Sequence, residues 1–407
     1  MKVLIADKFQ QSGIDALESM GCTVVSLPDI NPDQVAGAVV EHDPDVLVVR
    51  STKVFADVFQ KANKLALVVR AGAGYDNIDT DAASASGISV ANCPGKNAIA
   101  VAELAWGLIL AADRCIADQT ADLRAGKWNK KGYAKKGLGL YGRTLGVIGT
   151  GNIGREVIKR AHAFGMPVVA WSRSLDNATA KQLGVTRADS PIDVAKQADV
   201  VSLHVAATAD TNNMVDAEFL AAMRPGSTLV NTARGGVVDQ AALLKAMQEK
   251  GIRAAVDVYQ NQPSPTDNAS DIDLAKADAS KVTFVGTHHC GASTEQAQEA
   301  IAEETVRIIR VYRDTGDIPN VVNRASKSAA TRLLVVRHLN KPGVLAHVIG
   351  RIGEAKLNIE EMENVIYESA KAACAKIQLD AEPDEATMDK IRTGNEHVLS
   401  VDLTIIE

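Results

Sequence analysis

The stretch TLGVIGTGNIGREVIKRAHAFG, Thr144 to Gly165, decides the fold. It opens as a short apolar run, passes through Gly149, Gly151 and Gly154, and continues with the apolar spacing of a helix. A GxGxxG pattern alone is weak evidence. Placed between a strand and a helix it meets the requirement of a dinucleotide-binding turn. The first glycine permits the tight turn, and the second lets the backbone approach a pyrophosphate. The third allows the helix to pack closely, and Asn152 and Ile153 complete the loop at the helix N-terminus, where an anion is favoured. At the end of the next strand, VVAWSRSLD from Val168, an acid that would bind a ribose 2′-hydroxyl is missing. Ser172 and Arg173 stand there instead. A hydroxyl and a guanidinium accept a 2′-phosphate, so NADP is at least as good a candidate as NAD. The alternative is a solvent-facing Arg173 with Asp176 substituting for the acid.

Toward the N-terminus, short β-branched runs alternate with helical patterns: KVLIAD, CTVVSL, DVLVVR, LALVVR and GISVAN. Beyond a long helix from Asn97 a second series follows, with TLGVIG, PVVAW, DVVSLHV, STLVNTA, AAVDVY and VTFVG as strands. Such alternation predicts α/β architecture, two doubly wound parallel-sheet domains, the first flavodoxin-like and the second a Rossmann nucleotide domain. A helix from Ser293 ends at Gly316, and a polar linker follows it, with residues 323–330 as its core. Residues 331–407 then read strand, helix, strand, strand, helix, strand, the split order of a ferredoxin-like module.

A chain of 407 residues exceeds one core, which fits this division. A net charge of −6 argues against a nucleic acid or an anionic membrane as the main partner. Cys22, Cys93, Cys115, Cys290 and Cys374 are scattered and form no CxxC pair, so they suit free thiols in a reducing cytoplasmic compartment and no metal cage. MKVLIADKF reads as a first strand and not as a signal peptide. AIAVAELAWGLILAA, from Ala98, is interrupted by Glu103 and falls short of a membrane span.

Past the glycine loop, HVAATADT from His204, NTARGGVVD from Asn231 and VDVYQNQP from Val256 each fall at or after a strand's C-terminal end, where doubly wound sheets bind ligands. With RAGAGYDNID from Arg70, NCPGKNAIAVAE from Asn92 and GTHHCGAST from Gly286, the motif order resembles the D-2-hydroxyacid dehydrogenases over nearly the first 320 residues. The resemblance implies a split substrate domain, 1–94 with 286–322, around a nucleotide domain at 95–285. It implies that Arg234 binds substrate carboxylate and carbonyl, that Asp257 faces the nicotinamide, and that His204 and Thr208 line the cofactor. It also makes His289, two residues before Gly291, the proton donor and acceptor, with His288 a bystander. An imidazole suits a proton relay near neutral pH, and a guanidinium grips a carboxylate in two places. One departure stands out. Where the family carries a glutamate before a proline to pair with the histidine, this chain has Gln262 before Pro263. An amide orients the ring but adds no charge, which leaves a working enzyme or a non-catalytic nucleotide and amino-acid sensor as alternatives.

Arg50 and Arg70 end two strands alike, and Gly72, Ala73 and Gly74 follow with backbone N–H groups. Two such arginines predict a dianionic substrate, a phosphorylated 2-hydroxy acid, with the basic run Lys127 to Lys136 adding charge from the same or a neighbouring subunit. The resemblance then narrows toward members that oxidise D-3-phosphoglycerate at the start of serine synthesis, with a glyoxylate or hydroxypyruvate reductase as rival. The module from residue 331 resembles ACT domains, whose helix would start at Pro342. There His338, Asn340 and Asn358 are implied to form an L-serine effector site between paired domains, in a homo-oligomer, dimer or tetramer.

Overall fold

A computed structural model describes residues 1–263, 272–278, 282–325 and 328–406, so residues 326 and 327 of the expected linker and Glu407 lie outside the described residues. The chain divides into two compact units, Met1–Asn323 and Arg324–Glu407.

The first unit contains two parallel sheets. One is built from β1 (Lys2–Ile5), β2 (Thr23–Ser26), β3 (Val46–Val49), β4 (Leu67–Arg70) and β5 (Ser89–Asn92), in the order β2-β1-β3-β4-β5. This is the flavodoxin-like order. Its central strands are apolar almost throughout because helices cover both faces; Val46 to Val49 are all buried. The second sheet uses β6 (Leu145–Ile148), β7 (Val168–Trp171), β8 (Thr186–Arg187), β9 (Val200–Leu203), β10 (Thr228–Asn231), β11 (Arg253–Val256) and β12 (Phe284–Gly286). Its order, β12-β11-β10-β9-β6-β7-β8, reverses direction between β6 and β9 and places the ligand crevice there. The two-residue β8 was not foreseen, being too short to show any periodicity.

Two long helices tie the sheets together. Ala98–Arg114 follows the first sheet and packs on the second; its Trp106 stacks on Phe164 at 4.5 Å between ring centroids and donates to the Val157 carbonyl at 3.2 Å. Glu295–Thr315, capped by Thr294, brings the chain back: Ile301, Val306, Ile308 and Ile309 share one core with Val3, Ile5, Val48 and Val69 of the first sheet. No helix among the described residues is long and apolar enough to cross a membrane.

The second unit is an antiparallel sheet of β13 (Arg332–Leu339), β14 (Ile359–Ile366), β15 (Ala372–Leu379) and β16 (Val398–Ile405), ordered β14-β15-β13-β16. Helices Val344–Glu354 and Glu385–Thr393 supply Val348, Ile352, Met388 and Ile391 to its core, giving the ferredoxin-like fold. The first of these helices begins at Val344, with Gly343 as its left-handed cap, two residues beyond the expected start at Pro342. The turn after Pro342 needs the positive φ of 88° that glycine adopts freely.

Candidate active site

The glycine loop has the shape a dinucleotide requires. Gly149 takes φ +98°, and a side chain there would strike the His204 carbonyl; one on Gly154 would strike the Gly149 carbonyl, while Gly151 faces open space. No side chain caps the helix Asn152–Ala163, so its first amides remain for an anion. The side chains of Asn152 and Ile153 turn elsewhere: Asn152 packs against Gly95 in the connection between the sheets, and Ile153 packs on the apolar core. Their contribution to a ligand is confined to the backbone. His204 bonds Ser202 through Nε2 at 2.8 Å, and its Nδ1 is buried without a partner. Burial pushes this imidazole down to about 3, so the ring is neutral. Asn97 Oδ1 and Thr232 Oγ1 are likewise buried without partners. A glycine cradle beside unsatisfied polar atoms fits a bound dinucleotide.

The ribose end is less open than its sequence suggests. Ser172 is bonded to Thr150 at 2.8 Å, and Arg173 faces Asp210 at 3.6 Å with both side chains largely exposed. Asp176 caps the helix Asn177–Leu183 by accepting from the Thr179 amide at 2.7 Å, which commits the acid considered as a substitute. Thr208 holds the short turn Ala209–Thr211 through Thr211.

On the facing sheet, Arg70 ends β4 and Arg50 follows β3, with Val49 and Arg70 in register. Asp7, just past β1, accepts the amides of Arg50, Ser51 and Thr52 at 2.7, 3.0 and 3.0 Å and so shapes the loop that carries Arg50. The Arg70 guanidinium lies over Gly72, and its Nε is buried without a partner. Neither guanidinium makes a hydrogen bond or ion pair with a described residue, and the Ala73 and Gly74 amides also have no protein acceptor. Burial first, and then Arg234 and Arg50, pull Arg70 down to about 10, while Asp76 opposes them. Such a cluster of like charges has the chemistry to hold an anion.

The histidine loop hangs on Asp257, the first residue past β11 and 1% exposed. Its carboxylate accepts from Thr287 Oγ1 at 2.6 Å, the Cys290 amide at 2.9 Å and the Gly291 amide at 3.0 Å; its carbonyl accepts from the His289 amide at 2.8 Å. These bonds hold His289 at φ +51°, a left-handed conformation uncommon outside glycine. Asp257, expected only to face a nicotinamide, is therefore also the anchor of this loop. Oδ1 takes two of its donors and Oδ2 one. The His289 ring sits within electrostatic reach of Arg234, Asp257, Asp76 and Arg70. His288 and His289 are both exposed, and His288 makes no hydrogen bond with a described residue. Nδ1 of His289 donates to Gln262 Oε1 at 2.9 Å, which leaves Nε2 as the ring nitrogen able to accept a proton. Burial and Arg234 together hold this imidazole below its ordinary value against the pull of Asp257 and Asp76.

Arg234 is fixed by its loop: Asn231 donates to the Arg234 carbonyl at 2.9 Å and accepts from the Ala233 amide at 3.0 Å. Its guanidinium meets an acid not singled out in the sequence. Nε and Nη2 bond Asp76, with Nη2 at 3.0 Å, while Nη1 donates to the Ala233 carbonyl at 2.8 Å. Asp76 lies inside the quoted GYDNID run, but one acid among polar loop residues reads locally as a turn residue.

Two groupings expected from the sequence are not formed within one chain. The C-terminal end of the basic run lies away from this cleft: Arg253, which starts β11, donates to the Lys136 carbonyl at 2.8 Å, at the opposite end of that strand from Asp257. In the second unit, Asn340 follows β13 and Asn358 precedes β14, at opposite ends of the sheet and on the order of 25 Å apart at the usual rise per residue. Asn340 donates to the Ala370 carbonyl at 3.1 Å and Asn358 to Glu360 at 2.7 Å. His338 is buried; its Nδ1 donates to the Leu339 carbonyl at 2.9 Å, and its Nε2 pairs with the Asn364 amide group at 3.2 Å. Only a second copy could bring Asn340 and Asn358 together.

Residues 106–291 match the model of the D-isomer specific 2-hydroxyacid dehydrogenase, NAD binding domain. The chain is 37% identical to D-3-phosphoglycerate dehydrogenase of Methanocaldococcus jannaschii over 385 residues, spanning 93% of this chain and 67% of that one. It is 43% identical to hydroxypyruvate reductase of Thermotoga maritima over 280 residues, 67% of this chain and 85% of the other. Among solved structures, the TT0316 protein of Thermus thermophilus is 31% identical with a TM-score of 0.69, covering 79% of this chain and 100% of that one.

Proposed function

The chain belongs to the D-isomer specific 2-hydroxyacid dehydrogenases, NAD(P)-dependent oxidoreductases, and from that premise we propose that it oxidises D-3-phosphoglycerate to 3-phosphohydroxypyruvate, the first step of L-serine synthesis. The carrying observation is the pair of guanidinium groups, Arg50 and Arg70, that find no partner among the described residues, with Arg70 within electrostatic reach of Arg234 and His289. A monoanionic 2-hydroxy acid needs one arginine for its carboxylate; two further half-buried cations call for a second anionic group. In this reading Arg50 and Arg70 hold the phosphate with the Ala73 and Gly74 amides, and Arg234 holds the carboxylate and carbonyl. Residues 1–94 and 286–322 carry the substrate, and 95–285 the dinucleotide. A dinucleotide held on the loop of Gly149, Gly151 and Gly154 would supply the hydride acceptor. His289 Nε2 takes the hydroxyl proton and returns it in the reverse reaction. Gln262 keeps Nδ1 protonated and the ring aligned. Asp257 secures the loop and has one oxygen with capacity to accept from the carboxamide.

Both cofactors are accommodated, with Ser172 and Arg173 favouring NADP once Arg173 leaves Asp210. The second unit serves as an ACT-type module, and His338, Asn340 and Asn358 of paired copies form a serine site in a dimer or tetramer. Identity to the Thermotoga maritima hydroxypyruvate reductase supports a second reading, reduction of glyoxylate or hydroxypyruvate. Parallel assays decide between them. We expect turnover of D-3-phosphoglycerate with NAD or NADP at a kcat/KM well above that for unphosphorylated acids. Turnover of glyoxylate and hydroxypyruvate alone would transfer the assignment to the second reading, and no turnover of any would leave a sensor.

A further inference from the structure

Asp76 occupies a place that neither the glycine loop nor the histidine loop explains. It projects from the segment after β4, and its carboxylate takes the Nε–Nη2 edge of Arg234, with Nε at 3.2 and 3.3 Å from its two oxygens and Nη2 at 3.0 Å from one. A guanidinium carries five N–H groups. Asp76 uses Nε–H and one on Nη2, and the Ala233 carbonyl uses one on Nη1. One hydrogen on Nη1 and one on Nη2 remain, and they define the end of the fork that can meet a carboxylate in two places. Gly74 supplies an independent sign that this pairing is built in. A side chain at 74 would strike Arg234 Nη2 and come within 3.1 Å of Asp76 Oδ1, so the loop yields space for the pair.

The same acid, held on Arg234, lies within electrostatic reach of the proton relay. The charged groups around the His289 ring are Arg234 from the loop after β10, Arg70 from β4, Asp257 after β11 and Asp76 itself. Asp257 is engaged by three donors of the histidine loop, and Gln262 is uncharged. Asp76 is thus the one acid of the group that pairs with a substrate-facing cation.

We infer that Asp76 is a positioning residue of the active site, which locks Arg234 side-on so that the free end of its guanidinium faces the substrate carboxylate, and which supplies the negative charge near His289 that Gln262 lacks. The inference rests on the substrate reading proposed above for Arg234 and His289. A rival arrangement uses the same contacts differently: Asp76 would be a stand-in for substrate that must leave Arg234 before binding.

The test uses the full chain, with Asp76→Asn to remove the charge and Asp76→Glu to keep it. In steady-state oxidation, Asp76→Asn should lower kcat by about tenfold or more, the cost of losing a charge-assisted contact, and Asp76→Glu should recover part of it. NMR titration of the His289 ring in the enzyme without substrate should show a lower pKa in Asp76→Asn and a value near wild type in Asp76→Glu. An unchanged kcat in Asp76→Asn, an unmoved His289 titration, or a lower KM at constant kcat would each overturn the inference, the last by identifying a stand-in. Wild type without turnover on any 2-hydroxy acid would instead sink the proposed function, while the titration would still report on Asp76.

Discussion

Replacing Arg70 with methionine should stabilise the protein and remove its preference for a phosphorylated substrate. A guanidinium with an ordinary value of 12.5 held at about 10 is penalised in its charged form by burial and by Arg234. Each pKa unit corresponds to about 1.4 kcal/mol, so the penalty is about 3 kcal/mol, an upper bound because some water reaches the side chain. The sign follows from linkage. The folded value lies below the unfolded one, so the penalty is fully present below pH 10 and is relieved as pH rises through the folded value. Between pH 6 and 8 the gain in Arg70→Met should therefore be constant.

Urea unfolding followed by tryptophan fluorescence reads the relevant unit alone, because Trp106, Trp128 and Trp171 all lie within Met1–Asn323. We expect a higher midpoint at unchanged m value. D-3-phosphoglycerate should raise the wild-type midpoint and leave Arg70→Met nearly unmoved, because binding to the folded state alone is what stabilises. Catalytically, kcat/KM for the phosphorylated acid should fall by about 100-fold, the range for a lost charge-assisted pair, while unphosphorylated acids lose far less. A lower midpoint in Arg70→Met, or an unchanged ratio between the two substrates, would refute the assignment of this cluster.

His289→Gln should cut the chemical rate by roughly 100-fold or more, whereas His288→Gln should stay within a few-fold of wild type in single-turnover assays. Since burial and Arg234 lower the His289 pKa, oxidation, which needs the neutral ring, should persist to more acidic pH than an ordinary imidazole allows. Gln262→Glu should move that acid limb, and the alkaline limb of reduction, upward, because a negative partner favours imidazolium; an unmoved profile counts against the contact. Asn340→Ala and Asn358→Ala should each abolish the heat of L-serine binding in titration calorimetry while basal turnover stays, and no heat in wild type would remove serine as effector.

What the sequence revealed was what local pattern encodes. β-branched runs of four residues are buried on both faces and announce parallel strands, and the glycine loop announces its own turn. The choice of His289 over His288 rested on motif register, and of the two it is His289 whose ring meets Gln262. What stayed hidden depends on where distant segments meet. Asp76 and Arg234 are 158 residues apart, and no periodicity links them. Where the end of the Lys127 to Lys136 run lies, with the Lys136 carbonyl beside Arg253, is likewise beyond what composition encodes. Asn340 and Asn358 stand at opposite ends of their sheet, a placement that follows from strand pairing and that sequence spacing does not reveal.

The amide at 262 belongs to the same arrangement as the acid at 76. Around the His289 ring two acids, Asp257 and Asp76, already oppose two guanidinium groups, Arg234 and Arg70. A glutamate at 262 would add a third negative charge in direct contact with Nδ1 and hold the ring protonated, which serves reduction and impedes the abstraction of a hydroxyl proton. Glutamine keeps the orientation at 2.9 Å without that charge. On the proposed function, the expected effect of the substitution is to tune the relay toward oxidation instead of disabling it. A variant carrying both Asp76→Asn and Gln262→Glu should return the pH limbs toward wild type, since one acid is exchanged for another across the same ring; limbs that shift as far as in Gln262→Glu alone would show that Asp76 does not act on His289.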